Sequence, residues 1–77
     1  MEHIAVIAYW NWEFNLVVDE ERENEPDESY EFYHIKSVSS IPKNIRFDRV
    51  LTGAACEDIF TYSEMEGIRG SIPLNRS

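Results

Sequence analysis

The sequence predicts an α+β domain: a small antiparallel β-sheet of three to four strands, opened by an N-terminal hairpin, with one short C-terminal helix. A mainly-β domain is the alternative. Three observations carry the prediction. The 77 residues suffice for a single domain over residues 1–77. The even positions Ile4, Val6, Ala8, Trp10, Trp12, Phe14, Leu16 and Val18 are all apolar, which is the period of a strand with one buried face. Two Trp, four Tyr and four Phe can stabilise so short a domain, because each aromatic buries roughly 150–250 Å².

A straight strand over residues 4–18 would run ~50 Å at ~3.3 Å per residue, too long for a compact domain of this size. The segment must turn back. A three-residue loop keeps the apolar parity, and Asn11 tolerates the left-handed conformation such a loop needs. The expectation is a hairpin of residues 3–8 and 12–18 with Tyr9-Trp10-Asn11 at its tip. One long strand bent by a bulge competes with it.

Residues 19–29, Asp-Glu-Glu-Arg-Glu-Asn-Glu-Pro-Asp-Glu-Ser, hold nothing apolar except Pro26, and the proline opposes a continuous helix. They read as an acidic solvated loop. Residues 30–38 are rich in aromatic and β-branched side chains and read as a strand. A turn follows at 39–44, then a strand at 45–51 that Thr52-Gly53 ends. Ala55, Ile59, Tyr62 and Met65 have helical spacing with Gly67 beyond them, so residues 54–66 are expected to form the helix. The stretch 58–63 would also pass as a strand. Residues 68–77 read as a C-terminal tail.

The chain carries 15 acids, 7 bases and a formal charge of -8. That field repels polyanions, so direct nucleic-acid binding by phosphate neutralisation is excluded. One cysteine excludes a disulfide framework and a Cys-rich zinc module, and suits a reducing compartment. The apolar run at 4–8 is too short for a signal sequence, and no stretch approaches a membrane span. A cytoplasmic protein without a membrane segment is expected. Glycine-rich phosphate loops, HExxH and GxSxG are absent from the sequence, so neither an enzyme nor a cofactor is expected. His3 and His34 lack a partner at metal-ligand spacing, so no metal is expected either. Cys56 reads as a buried structural thiol, the competing reading being a nucleophile approached by His34.

The charge is concentrated. Residues 1–31 hold ten acids and one base, Arg22, whereas residues 32–77 hold five acids and six bases. The candidate partner contacts are Asp19, Glu20, Glu21, Glu23, Glu25, Asp27, Glu28 and Glu31. If this stretch is extended, Asp19, Glu21, Glu23, Glu25 and Asp27 line one side at ~6.6 Å intervals, twice the rise of a strand. That interval is similar to the spacing of successive phosphates along a nucleic-acid strand. Tyr9 and Trp10 at the hairpin tip are candidate anchors, since Tyr and Trp dominate binding hot spots. Trp10 and Trp12 also suit the core. Lys36, Lys43, Arg46 and Arg49 form a basic zone that balances the acidic half within the chain or meets a second copy.

Two expectations about function follow. The first is a small acidic binding protein that inhibits a basic, nucleic-acid-handling partner by occupying its phosphate-binding groove. In size, charge and missing chemistry the chain is similar in general character to the small acidic proteins that phages and mobile elements use against host defence or transcription. Anti-CRISPR proteins, anti-restriction DNA mimics and nuclease inhibitors are of this kind, and the likeness is one of composition. The second is a structural subunit that forms a homodimer or larger homo-oligomer, its acidic loop serving solubility only.

Overall fold

A computed structural model describes residues 1–27 and 29–75. Its strands and helices run in the order β1 (Glu2–Ile7), α1 (Asn11–Asn24), β2 (Tyr30–Ile35), β3 (Arg49–Thr52) and α2 (Tyr62–Ser71). Short 3-10 turns lie at Val38–Ser40 and Ala54–Asp58. The sheet has the order β2-β1-β3, and β1 pairs in parallel with both neighbours. The fold is therefore α/β with an all-parallel sheet. The expected antiparallel hairpin does not form.

The reason lies in residues 4–8. Ile4, Ala5, Val6, Ile7 and Ala8 are apolar at both parities, and each is 0% exposed. A strand covered on both faces reads as an unbroken apolar run, the mark of a parallel sheet. Strict alternation holds only over residues 10–16, where the chain has already left the sheet. Parallel pairing requires a crossover of a dozen or more residues, and α1 provides it. Tyr9 and Trp10 thus lie in the β1–α1 connection, and Asn11 opens α1. Trp10 holds the N-cap position in extended conformation, with no side-chain hydrogen bond to cap the helix.

α1 also overturns the expected loop, because helix continues through Asp19–Asn24. Pro26 comes two residues past the last helical position, where it stops the helix without disturbing it. The Glu25 N–H closes the final turn on the Glu21 carbonyl at 3.2 Å.

The two faces of β1 build two cores. Ile4, Val6 and Ala8 meet Phe14 and Val17 of α1, with Phe32 and Leu51 from the outer strands. Ala5 and Ile7 meet Ile68 of α2 together with Ile35, Phe47, Cys56 and Ile72. The helices therefore cover opposite faces of one sheet.

The second half needs smaller corrections. The strand expected at 45–51 spans Arg49–Thr52. Before it, Asn44 takes a left-handed φ of 66° in the expected turn. Residues 54–66 do not form one helix. A 3-10 turn ends at Asp58, and a new helix starts behind a capping box: the Thr61 hydroxyl accepts the Glu64 N–H at 3.1 Å, and the Glu64 carboxylate accepts the Thr61 N–H at 2.8 Å. Gly67 lies inside this helix, not past its end. The supposed tail supplies the last turn of α2 and two core residues, Ile68 and Ile72. Beyond it, Leu74 bridges to Phe47 beside β3.

Candidate functional site

In open parallel sheets, the ligand crevice lies at the carboxyl ends of two adjacent strands whose connections leave toward opposite faces. Here those strands are β1, whose chain turns into α1, and β3, whose chain turns toward α2. A protein side chain fills the gap. Glu13, in the first turn of α1, is only 2% exposed. Its carboxylate accepts the Tyr9 N–H at 3.1 Å and the Ala55 N–H at 2.6 Å. It thereby ties the β1–α1 connection to the turn after β3. Gly53 makes room for it, since a Cβ there would overlap the Glu13 carboxylate. The Cys56 thiol donates to the Ile7 carbonyl at 3.1 Å and approaches Glu13 at 3.9 Å. Burial, and then the Glu13 charge, push that thiol above its ordinary pKa, which disfavours the nucleophilic thiolate. His34 is engaged as well. Its Nε2 lies 2.7 Å from the Ala8 carbonyl and so carries the proton, and its ring stacks on Phe14.

The outer surface of α1 is built differently. At about 100° per residue, Trp12, Leu16, Asp19, Glu20 and Glu23 share one arc of about 100°. Trp12 is 57% exposed and Leu16 53%, and the three acids are exposed too. Trp12 stacks on half-buried Trp10, with ring centroids 5.6 Å apart. Tyr9 stands edge-on to Trp10 and is 44% exposed. The helix thus presents an aromatic and aliphatic end that runs into an acidic end.

The candidate contacts of the acidic stretch do not form one row. Asp19, Glu20 and Glu23 point outward on α1, whereas Glu21 turns toward the sheet and pairs with Arg49. Arg49 also reaches Glu2 at 3.1 Å. This triad engages one base of the expected basic zone, Arg49, within the molecule. Glu25 and Asp27 are exposed beyond the helix, and Glu31 is exposed on β2. Glu28 lies outside the described residues. An evenly spaced line at strand pitch is therefore not available to residues 19–24.

Sequence reasoning missed Glu13, Gly53 and Leu16, and assigned Trp12 to the core. The signal for Trp12 and Leu16 was their i, i+4 relation, which places both on one helix face. The strand period concealed it. No group of three or more His, Cys, Asp or Glu able to hold a metal occurs among the described residues, and no helix among them is long and apolar enough to cross a membrane.

No protein-family profile, curated protein or solved structure matches the chain.

Proposed function

We propose that the protein is an acidic binding module that docks the outer face of α1 onto a cationic surface of a protein partner. Proteins that handle nucleic acids carry such surfaces, and they are the class of target we infer. The carrying observation is the exposure of Trp12 and Leu16 one turn apart, continuous with Asp19, Glu20 and Glu23. A Trp with an aliphatic neighbour supplies the desolvated anchor that dominates binding energy. The carboxylates speed encounter with a basic patch and select against acidic surfaces. The filled crevice supports the same reading, because Glu13 occupies the place where a parallel sheet would receive an anionic small molecule.

The mode of action differs from an evenly spaced phosphate mimic. Helical geometry spreads the acids over a surface, so the partner is engaged by a charged apolar face. Binding would still exclude nucleic acid wherever the partner uses the same patch.

The test is capture from a bacterial lysate at ~50 mM and ~300 mM salt, where screening lengths of about 14 Å and 6 Å separate electrostatic from apolar contacts. The bait is wild type, Asp19→Lys/Glu20→Lys/Glu23→Lys, or Trp12→Ala/Leu16→Ala. Nucleic-acid-handling proteins should be retained by wild type, released by duplex DNA, and lost with both variants. The same captured set with either variant overturns the reading.

A homo-oligomer remains the second reading, favoured by the sheet edge. The Ala8 N–H bonds the Ile35 carbonyl, so odd positions of β2 face β1 and Phe32 and His34 turn their backbone groups outward. An open edge is a template for a second strand. Sedimentation across a hundredfold concentration range decides it, and a constant monomer mass rejects it.

A further inference from the structure

The groove beside α1 inverts the usual polarity of a switch-point crevice. A cavity of about 410 Å³ lies between the helix and the turn after β3. Trp12 and Leu16 form one wall, Ala54 and Ala55 the other, Glu20 stands at the rim and Glu13 lies in the floor. Backbone N–H groups at such a place ordinarily attract phosphate or carboxylate. Here the Tyr9 and Ala55 N–H groups are already bound to the Glu13 carboxylate. What remains open to an incoming group is a carboxylate at the rim and an aromatic face.

One part of the lining is already met by a cation. Thr52 belongs to its lining, and its hydroxyl accepts a 2.6 Å hydrogen bond from Arg69, which arrives from α2. An entering cation therefore finds its partners at the α1 end, at Glu20 and Trp12. The cavity is at the small end of ligand pockets, which run about 300–1,000 Å³. It suits one long side chain of a partner better than an extended segment.

We infer that this groove receives a single arginine side chain of the partner, its guanidinium lying on the Trp12 ring and paired with Glu20. The inference rests on the reading of α1 as the docking face and names what that face recognises. Arginine is favoured over lysine on physical grounds. Its planar guanidinium stacks on an aromatic ring, is less strongly hydrated, and pairs side-on with a carboxylate. Leu16, Ala54 and Ala55 would pack against its aliphatic stem. The protein makes the same contact internally, where the Arg22 guanidinium lies 5.4 Å from the centre of the Phe32 ring.

The probes are an octa-arginine and an octa-lysine peptide, titrated into the isotope-labelled protein at ~50 mM salt. Tryptophan fluorescence and amide chemical shifts are the readouts. Octa-arginine should bind at least about tenfold more tightly than octa-lysine, with shifts at the Thr52, Ala54 and Ala55 amides. Trp12→Leu retains apolar bulk on an exposed position and removes the π face. It should abolish the arginine preference while lysine affinity stays within about twofold. Glu20→Gln should weaken octa-arginine several-fold. Equal affinities with shifts confined to Asp19 and Glu23 overturn the groove inference and leave the acidic docking face standing. Failure of both peptides to bind overturns both.

Discussion

The two helices cover opposite faces of one sheet and are built by opposite rules. α2 follows the ordinary ones: a reciprocal capping box starts it, Ile68 and half-buried Met65 face the core, and its carboxylates face water. α1 breaks them. Its N-cap is an uncapped Trp10, it buries Glu13, it turns Glu21 toward the sheet, and it exposes Trp12 and Leu16. Natural sequences depart from local rules chiefly where function constrains them. The difference leaves Trp12 and Leu16 outside the core, on the face of α1 that we propose for docking.

Replacing Glu13 breaks this comparison most severely, because its carboxylate is the joint between α1 and the rest. Glu13→Ala strands two backbone N–H groups and opens a cavity. The expected loss is about 2–4 kcal/mol, out of a total of about 4–12 kcal/mol for a chain this long. Urea denaturation measures it. In Glu13→Gln, a stability profile against pH gives a second readout. The Cys56 thiol is held above its ordinary pKa in the fold, so wild-type stability falls as pH rises through the range between the unfolded and folded values. Removing the neighbouring charge should narrow that alkaline loss. An unchanged profile would mean burial alone sets the thiol.

Gly53→Ala attacks the same joint from the other side, by driving a Cβ into the Glu13 carboxylate. A loss of about 1–3 kcal/mol is expected. The two substitutions share one contact, so the double variant should lose less than the sum of the singles. Strict additivity would show that Gly53 serves its backbone and not Glu13.

In α2 the expected effects are smaller and conventional. Thr61→Ala should cost about 1 kcal/mol, the worth of an N-cap. Gly67 lies mid-helix with open space where a Cβ would stand. Gly67→Ala should therefore stabilise by roughly 0.5–1 kcal/mol. A destabilised Gly67→Ala would mean that this face of α2 is not free, and α2 would no longer be the ordinary helix of the pair.

The same contrast explains what the sequence made legible. Helical spacing over residues 54–66 locates α2 in part, but the Thr61…Glu64 box that starts it goes unread, and Ile68 falls in the expected tail. In α1 the apolar residues needed by the core and those left outside combine into a false strand period. Phe14 and Val17 pack on the sheet while Trp12 and Leu16 do not, and Trp12, Phe14 and Leu16 together with Trp10 and Val18 mimic alternation. The acids compound the error. Asp19–Asn24 has no apolar side chain because that end of α1 meets the sheet through the Glu21–Arg49 pair. An ion pair leaves no hydrophobic signal. The parallel sheet, by contrast, was written in Ile4–Ala8, where both parities are apolar. Glu13 was not legible at all, since a buried carboxylate is recognised only from the backbone groups that converge on it.

The smallest expected effect on stability sharpens the comparison most. Leu16 sits mid-helix on α1, 53% exposed, one turn from Trp12 and beside the groove. Had it been a core residue, its replacement by a polar side chain would cost several kcal/mol. At an exposed position the cost should stay within about 0.5 kcal/mol. Leu16→Gln should therefore leave the urea midpoint nearly unmoved while weakening partner capture at ~300 mM salt, where apolar contacts outlast screened charges. The pairing of those two results is the point. A residue that carries recognition without stability must lose one and keep the other, whereas a misplaced core residue loses both. If Leu16→Gln loses neither, the apolar half of the α1 face is ordinary exposed surface, and binding would rest on Asp19, Glu20 and Glu23 alone.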